Sequence, residues 1–169
     1  MPRHRHAADL LMPPIIILDT GPLSNCVVQV SSKPGVPSTP SQACRKWLTA
    51  CERDGATILV SAIAYYEALR EIERRIATNQ GRRLKQYCFQ PGRFIPLTMA
   101  QLDLAAELWG QTRRIGVPTA GDAALDGDVI LCAQVRSLGL ASANYVVATT
   151  NTRHLAIFVN AVEWQNIIP

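Results

Sequence analysis

The stretch Ile-Ile-Ile-Leu-Asp-Thr-Gly-Pro, residues 15–22, decides the fold class of this chain. Its first four residues are a continuous, mostly β-branched apolar run, which is typical of a strand buried on both faces. A carboxylate follows at once, at Asp19, and the turn Thr-Gly-Pro then leads into a short helix predicted to reach about Val30. Strands of this kind lie at the centre of parallel sheets that helices cover on both sides.

The same alternation of apolar strands and helices continues along the chain. Strands are predicted at residues 57–60, 94–97 and 145–148, and helices at residues 42–53, 63–78, 99–116 and 128–138. In the helix 63–78 an apolar stripe is formed by Tyr65, Leu69, Ile72 and Ile76, and Asn-Gln-Gly at residues 79–81 is predicted to stop that helix. This order predicts an α/β layered domain with a mainly parallel sheet, whose strands end together at the edge where ligands bind.

Length and composition favour one compact domain. The chain has 169 residues, 48% of them apolar and 18% charged, so a single core suffices without disulfides or a structural metal. The domain is predicted to span residues 12–169 behind a flexible N-terminal arm at residues 1–11, with translation starting at either Met1 or Met12. An exposed Pro- and Ser-rich loop is expected at residues 31–41.

Cysteine usage and hydropathy indicate a cytoplasmic protein. Five cysteines leave one without a partner in any full disulfide scheme, and no two of them are spaced as Cys-x-x-Cys. No apolar run approaches the ~20 residues of a membrane-spanning helix, and no signal-peptide cleavage site follows the basic N-terminus. We therefore expect a reducing compartment and no membrane partner.

The positive charge of the chain is concentrated in one segment. The formal net charge is +4, yet seven basic and only two acidic residues lie between Arg70 and Arg93. Such a segment indicates either a polyanionic partner, which basic side chains bind with release of counterions, or a solvated helix face with local Glu–Arg pairs. Charge alone favours neither interpretation over the other.

Acidic residues recur beside the predicted strand ends and helix starts. Asp19 is either an N-cap of the following helix or part of a binding site. Three of the seven aspartates, Asp122, Asp126 and Asp128, lie within seven residues ahead of and at the start of a helix. Capping accounts for one carboxylate there, and three such charges favour a hard divalent cation such as Mg²⁺.

Two further positions leave alternatives open. Glu67 shares a helix face with Arg70 and Arg74, so it is either a solvent-exposed ion-pair partner or faces a cleft at the sheet edge. The last predicted strand ends in Thr-Thr-Asn-Thr-Arg-His, residues 149–154, which fits ordinary turn chemistry and a site for water or phosphate equally well. His154 has no His or Cys at metal-binding spacing and is interpreted as structural or surface.

Four short segments, taken in order, resemble the motifs of PIN-domain nucleases, the family that includes VapC-type toxins. They are Ile-Ile-Ile-Leu-Asp-Thr-Gly-Pro-Leu (15–23), Val-Ser-Ala-Ile-Ala-Tyr-Tyr-Glu-Ala-Leu-Arg-Glu (60–71), Leu-Asp-Gly-Asp-Val-Ile-Leu-Cys-Ala-Gln (125–134) and Val-Val-Ala-Thr-Thr-Asn-Thr-Arg-His (146–154). The resemblance implies a three-layer α/β/α domain and Mg²⁺- or Mn²⁺-dependent cleavage of single-stranded RNA. It also implies a homodimer and, for a type II toxin, an antitoxin protein as partner.

Carried over residue by residue, the resemblance implies that Asp19, Glu67 and Asp128 are catalytic and hold the metal. Asn151 matches a fourth metal-site position, where Asn in place of Asp weakens the case for a second ion. Asp126 is an alternative to Asp128 or assists it, and Asp128 is preferred because it directly precedes the helical segment Val-Ile-Leu-Cys-Ala. Contacts to the RNA backbone are assigned to Arg70, Arg74, Arg82 and Arg83.

Two other functions are compatible with these residues. A catalytically inactive PIN-like module would bind RNA or a partner protein without cleaving it, with Asn151 as a sign of decay. A phosphotransfer enzyme would use Asp19 as its nucleophile. Enzymes of that kind with an Asp-x-Asp signature are disfavoured, because Gly21 stands where the second Asp would be.

Overall fold

The computed structural model describes residues 15–29, 38–117 and 126–169, which form an α/β domain around an all-parallel sheet. The elements follow one another as β1 (Ile15–Leu18), α1 (Thr20–Val27), α2 (Pro40–Arg53), β2 (Thr57–Ser61), α3 (Ala62–Arg74), α4 (Thr78–Cys88), β3 (Phe94–Ile95), α5 (Met99–Arg114), α6 (Gly127–Arg136), β4 (Tyr145–Thr149), α7 (Thr152–Leu155) and β5 (Ala161–Glu163). Short 3-10 helices occur at Ser142–Asn144 and Trp164–Asn166. The expected arm at residues 1–11, both candidate start sites, Asp122 and most of the Pro- and Ser-rich loop lie outside the described residues.

Strand β1 occupies the centre of the sheet, whose strand order is β3-β2-β1-β4-β5. Ile16, Ile17 and Leu18 are fully buried, as the continuous apolar run predicts. The last residue of β1, Leu18, pairs with Val60 of β2 and Ala148 of β4. These three neighbouring strands therefore end level with one another, and the residues that follow them meet at one edge.

Two helical layers cover the sheet and confirm the three-layer prediction. Ile16 and Leu18 point into a core shared with α1, α2, α3 and α4, which includes Leu23, Trp47 and Leu84. Ile17 points to the opposite face, where Leu108 of α5 and the apolar residues of α6 pack against it. The alternation of neighbouring β1 side chains between the two cores is what a strand buried on both faces requires. No helix of the described residues is long and apolar enough to cross a membrane.

The prediction of one helix over residues 63–78 is wrong. Helix α3 ends at Arg74, and a second helix, α4, begins at Thr78. Residues 79–81, which the sequence predicts to end the first helix, lie inside α4. Ile76 lies between the helices with a φ of 53° and is 84% exposed, so it is not part of the apolar stripe. Gly81 lies inside α4 against Ile72 of α3, where an added Cβ would make an ordinary contact of 3.4 Å with Ile72 Cγ2, so this glycine does not end a helix.

Two strands also differ from expectation. β3 covers only Phe94–Ile95, shorter than the predicted residues 94–97 and consistent with the proline at position 96. β5, Ala161–Glu163, was not predicted because it is three residues long and only half-buried, which leaves too little apolar pattern to identify it. It pairs with β4 and completes one side of the sheet.

Candidate active site

Asp19 is the first polar residue after β1, and it is both a helix cap and part of a polar cluster. Its Oδ1 accepts a hydrogen bond from the backbone N–H of Thr20 at 2.7 Å and caps α1. Its Oδ2 accepts one from the hydroxyl of Thr149, the fully buried last residue of β4, also at 2.7 Å. Asp19 is therefore the N-cap through Oδ1 while its Oδ2 contacts the end of β4, so capping is compatible with a place at the sheet edge.

Glu67 faces neighbouring elements at the sheet edge. Its Oε2 accepts a hydrogen bond from the Thr20 hydroxyl at 2.6 Å, which ties α3 to the start of α1. Its Oε1 lies against Gly127, where an added Cβ would stand only 2.5 Å away. Arg70 approaches the same carboxylate at 3.7 Å, and the Glu67 side chain is 26% exposed. Glu67 therefore has Arg70 as its ion-pair partner. It also contacts Thr20 and Gly127, the sequence neighbours of Asp19 and Asp128.

Asp126 and Asp128 have different places at the start of α6. Asp126 is buried and is the N-cap, with its Oδ1 accepting from the backbone N–H of Val129 at 3.3 Å. Asp128 is in the first turn of the helix and is partly exposed, and its Oδ2 lies 3.0 Å from His154 Nδ1. Capping thus accounts for Asp126, whereas Asp128 lies in the first turn, where its charge complements the helix dipole, and contacts His154.

Asn151 and His154 come from the segment that follows β4. Asn151 is exposed and is the N-cap of α7, its Oδ1 accepting from the backbone N–H of Arg153 at 3.1 Å. His154 was interpreted as structural or surface, but its ring contacts the carboxylate of Asp128. Sequence spacing gives no sign of that contact, because it depends on how the four-residue helix α7 is placed against α6.

The electrostatics of the edge connect its acidic residues. Burial is the largest cause of the raised pKa of Asp19, hydrogen bonds from Thr149 and Thr20 oppose it, and the charges of Asp128 and Glu67 add to it. Burial also leads the causes that raise the pKa of Asp128; the His154 hydrogen bond opposes it, and the charges of Asp126 and Glu67 add to it. The charges of neighbouring carboxylates therefore contribute to the raised pKa of both Asp19 and Asp128.

The donor chemistry of this edge suits a hard cation, with a limit set by its geometry. Carboxylate oxygens are the ligands that Mg²⁺ prefers, and Mg²⁺ keeps several waters when one or two carboxylates bind it. Among residues 15–29, 38–117 and 126–169, no three Asp, Glu, His or Cys side chains stand in an arrangement that could hold an ion together. The residues thus fit a hydrated ion held by few direct protein ligands, and they do not form a closed cage.

The basic residues assigned to RNA occupy separate surroundings. Arg70 lies beside Glu67 at the acidic edge, which is formed by Asp19, Glu67, Asp126 and Asp128. Arg74 makes two hydrogen bonds to the carboxylate of Glu71, at 2.7 and 2.9 Å. Arg83 donates from Nε to the backbone carbonyl of Val27 at 2.8 Å. Arg82 lines a small depression between α3 and α4. Of the four, Arg70 is the one in contact with a residue of the acidic edge.

Comparison with solved structures gives the fold a counterpart. The chain superposes on a chain of the crystal structure of VapBC2 from Rickettsia felis bound to a DNA fragment from their promoter, with a TM-score of 0.61. The chain has a PIN-like fold. The superposition covers 89% of this chain and 98% of the other. Because the two sequences are only 15% identical, the similarity is one of fold. No family model and no curated protein sequence matches the chain.

Proposed function

We propose that the protein is a metal-dependent endoribonuclease that cleaves phosphodiester bonds of single-stranded RNA. The observation that carries the proposal is the meeting of carboxylates from three separate elements at the end of the central strands. Asp19 follows β1, Glu67 lies in α3 and Asp128 in α6, and the charge of each of the other two raises the pKa of Asp19. Negative charge gathered in this way favours binding of a divalent cation.

In this proposal Asp19, Glu67 and Asp128 hold one Mg²⁺ or Mn²⁺ ion, directly or through water. When bound, the ion polarises the phosphodiester and lowers the pKa of the attacking water. Thr149 and Thr20 fix the Asp19 carboxylate through their hydrogen bonds, and Thr20 also fixes Glu67. A carboxylate of the site accepts the proton of the attacking water.

Two residues extend this division of roles. Arg70 stands beside Glu67 and supplies positive charge for the phosphate of the substrate. Asn151 caps α7 with its side-chain oxygen and is exposed, which supports one ion instead of two. Asp126, buried and engaged in capping, supports the position of Asp128 and is not assigned as a ligand.

The toxin role belongs to the same proposal. The structure with the similar fold is described as VapBC2 bound to promoter DNA. We propose by analogy that this chain is a type II toxin with an antitoxin protein as partner and that it forms a homodimer, with a cytoplasmic location as the sequence predicts. Detection of a small antitoxin-like reading frame beside this one, and co-purification of its product, is the expected outcome.

The deciding experiment measures cleavage of a fluorescent single-stranded RNA by the purified protein. We expect cleavage with Mg²⁺ or Mn²⁺, none after chelation with EDTA, and a loss of at least 100-fold in Asp19→Asn and Asp128→Asn. Asp54→Asn is the matched control, because it also removes one carboxylate but lies at an exposed ion pair with Arg53 at the end of α2. Cleavage by Asp19→Asn at the rate of the Asp54→Asn control would refute the assignment.

A non-catalytic module is the second candidate, and two observations favour it. The described residues contain no ready-made group of three metal ligands, and Asn151 serves as a helix cap. This candidate predicts RNA or protein binding that persists in Asp19→Asn and Asp128→Asn together with no cleavage by the wild type. Gel-shift and cleavage assays on the same preparations separate the two functions.

A further inference from the structure

Two cysteine thiols meet between the first two helices, away from the acidic edge. Cys26 of α1 and Cys44 of α2 have their sulfur atoms 3.7 Å apart, and both cysteines are free and buried. Cys44 Sγ also donates to the backbone carbonyl of Pro22 at 3.6 Å, which holds that thiol against α1. A disulfide bond is about 2.05 Å long, so the two sulfur atoms need to approach by about 1.7 Å to form one.

The other three cysteines provide a comparison within the same fold. Cys51 lies in α2, two turns beyond Cys44 and equally buried, and Cys88 lies at the end of α4 in the same apolar core. Within the described part of the chain, the contact between Cys26 and Cys44 is the one hydrogen bond that joins two sulfur atoms. Burial alone therefore does not explain the pairing, since Cys51 and Cys88 share it.

One cysteine of this pair lines a surface depression. Cys26 borders a depression of about 230 Å³ between α1, α2 and α4, which Arg45, Arg83, Gln86 and Tyr87 also line. Cys26 retains 9% exposure, and Cys44 lies directly behind it. The hydrogen bond between the two thiols lowers the pKa of Cys44, although burial acts in the opposite direction, and it raises the pKa of Cys26, where burial adds to the effect. A lower pKa favours the thiolate, which is the form that reacts with oxidants.

We propose that Cys26 and Cys44 form a site of reversible oxidation, at which a peroxide converts the two thiols into an intrachain disulfide. One sulfur attacks a peroxide oxygen, the O–O bond breaks, and the products are a sulfenic acid and one molecule of water. The second thiol then attacks the sulfenic sulfur, the S–S bond forms, and the hydroxyl leaves as water with the thiol proton. Two thiols and hydrogen peroxide thus give one disulfide and two waters.

The disulfide would join the ends of the segment between α1 and α2. It closes a loop that runs from Cys26 to Cys44 and ties α1, whose first residue Thr20 binds Glu67, to α2. Closing a loop of this length restricts the unfolded chain, so the oxidised protein is expected to unfold at a higher temperature than the reduced protein. This inference is independent of the proposed nuclease activity, since it concerns thiol chemistry alone.

The test treats the folded, fully reduced chain with hydrogen peroxide and then counts free thiols in denaturant. We expect the count to fall from five to three, and peptide mapping by mass spectrometry to give a linked peptide that contains Cys26 and Cys44 and lacks two hydrogens. Dithiothreitol should restore five thiols. Cys51→Ser is the matched control, and it should form the same linked peptide at the wild-type rate.

Single variants trap the intermediate. In Cys26→Ser and Cys44→Ser no intrachain disulfide is expected, and the remaining cysteine of the pair should be labelled by dimedone as a sulfenic acid. Persistence of all five thiols in the wild type would overturn the proposal. Equal consumption of Cys51 or Cys88 would also overturn it, because it would show oxidation through unfolding. The wild-type peptide map decides the question even if a serine variant does not fold.

Discussion

Replacement of Gly127 by alanine tests how Glu67 is held at the site. The new Cβ would stand 2.5 Å from Glu67 Oε1 and 3.0 Å from its Cδ, whereas ordinary contacts begin near 3.4 Å. The carboxylate must therefore retreat by about 1 Å, which the flexible end of the Glu67 side chain allows. The perturbation thus displaces one functional group and leaves its chemistry unchanged.

The magnitudes separate activity from stability. Alanine is more favourable than glycine in a helix by up to about 1 kcal/mol, and loss of the Thr20–Glu67 hydrogen bond costs about 1–3 kcal/mol. These opposing contributions leave the folded state intact. Displacing a reactive group by about 1 Å lowers catalytic rates by about 100-fold. We therefore expect Gly127→Ala to fold and to cleave RNA about 100-fold more slowly than the wild type.

Activity is measured as the initial rate of cleavage of a single-stranded RNA oligonucleotide with Mg²⁺. Stability is measured as thermal unfolding followed by circular dichroism. Gly110→Ala is the matched control, because its Cβ would meet only the flexible tip of Arg114, at 3.1 Å, in α5. That variant should keep the wild-type rate. A folded Gly127→Ala with wild-type rates would show that cleavage does not need Glu67 where the structure has it.

Three further predictions concern other parts of the chain. Ile76→Asn should raise the free energy of unfolding by about 1 kcal/mol, because the left-handed backbone at φ 53° costs a β-branched residue about 1–2 kcal/mol and the side chain is exposed. Urea denaturation measures this change. The exposed Ile115 has a φ of −91°, so its replacement by asparagine should give no gain. His154→Leu removes the hydrogen bond to Asp128 and should lower kcat/KM for RNA by about 10–100-fold with little change in Tm, and an unchanged kcat/KM would contradict a positioning role for His154. Because the pKa of Asp128 is raised in the folded state, the folded, metal-free chain binds that proton more tightly than the unfolded chain does. The free energy of unfolding of the wild type should therefore fall as pH rises from 3.8 through the folded pKa of Asp128. Asp128→Asn should flatten this part of the profile when denaturation is measured as a function of pH. A steeper profile in the variant would refute the assignment.

Local patterns in the sequence were enough to predict the sheet centre. The apolar run at residues 15–18 and the carboxylate directly after it predicted a buried strand that ends at a polar edge, and β1 with Asp19 has that form. The α4 helix is not predicted because Asn-Gln-Gly at residues 79–81 has the composition of a helix stop. In the structure these residues lie in the first turns of α4, which packs on Ile72 of α3.

The orientation of the site residues depends on distant parts of the chain. The sequence offers two alternatives for Glu67 because the direction of its side chain is set by Thr20, 47 residues earlier, and by Gly127 on another helix. The contact of His154 with Asp128 likewise joins two elements that are 26 residues apart. Helical spacing predicts which residues share a face of the helix, but not which other helix or strand packs against that face.

The central position of β1 also determines how firmly Asp19 is held. The Asp19 backbone N–H donates to the carbonyl of Ala148 at 3.0 Å, which extends the pairing of β1 with β4 past the end of the strand. A strand with a neighbour on each side opens only when most of the domain opens, so its amide hydrogens exchange with solvent slowly. Glu67 and Asp128 lie instead on the helices α3 and α6. Asp19 is therefore the carboxylate of this edge that the sheet itself holds in place.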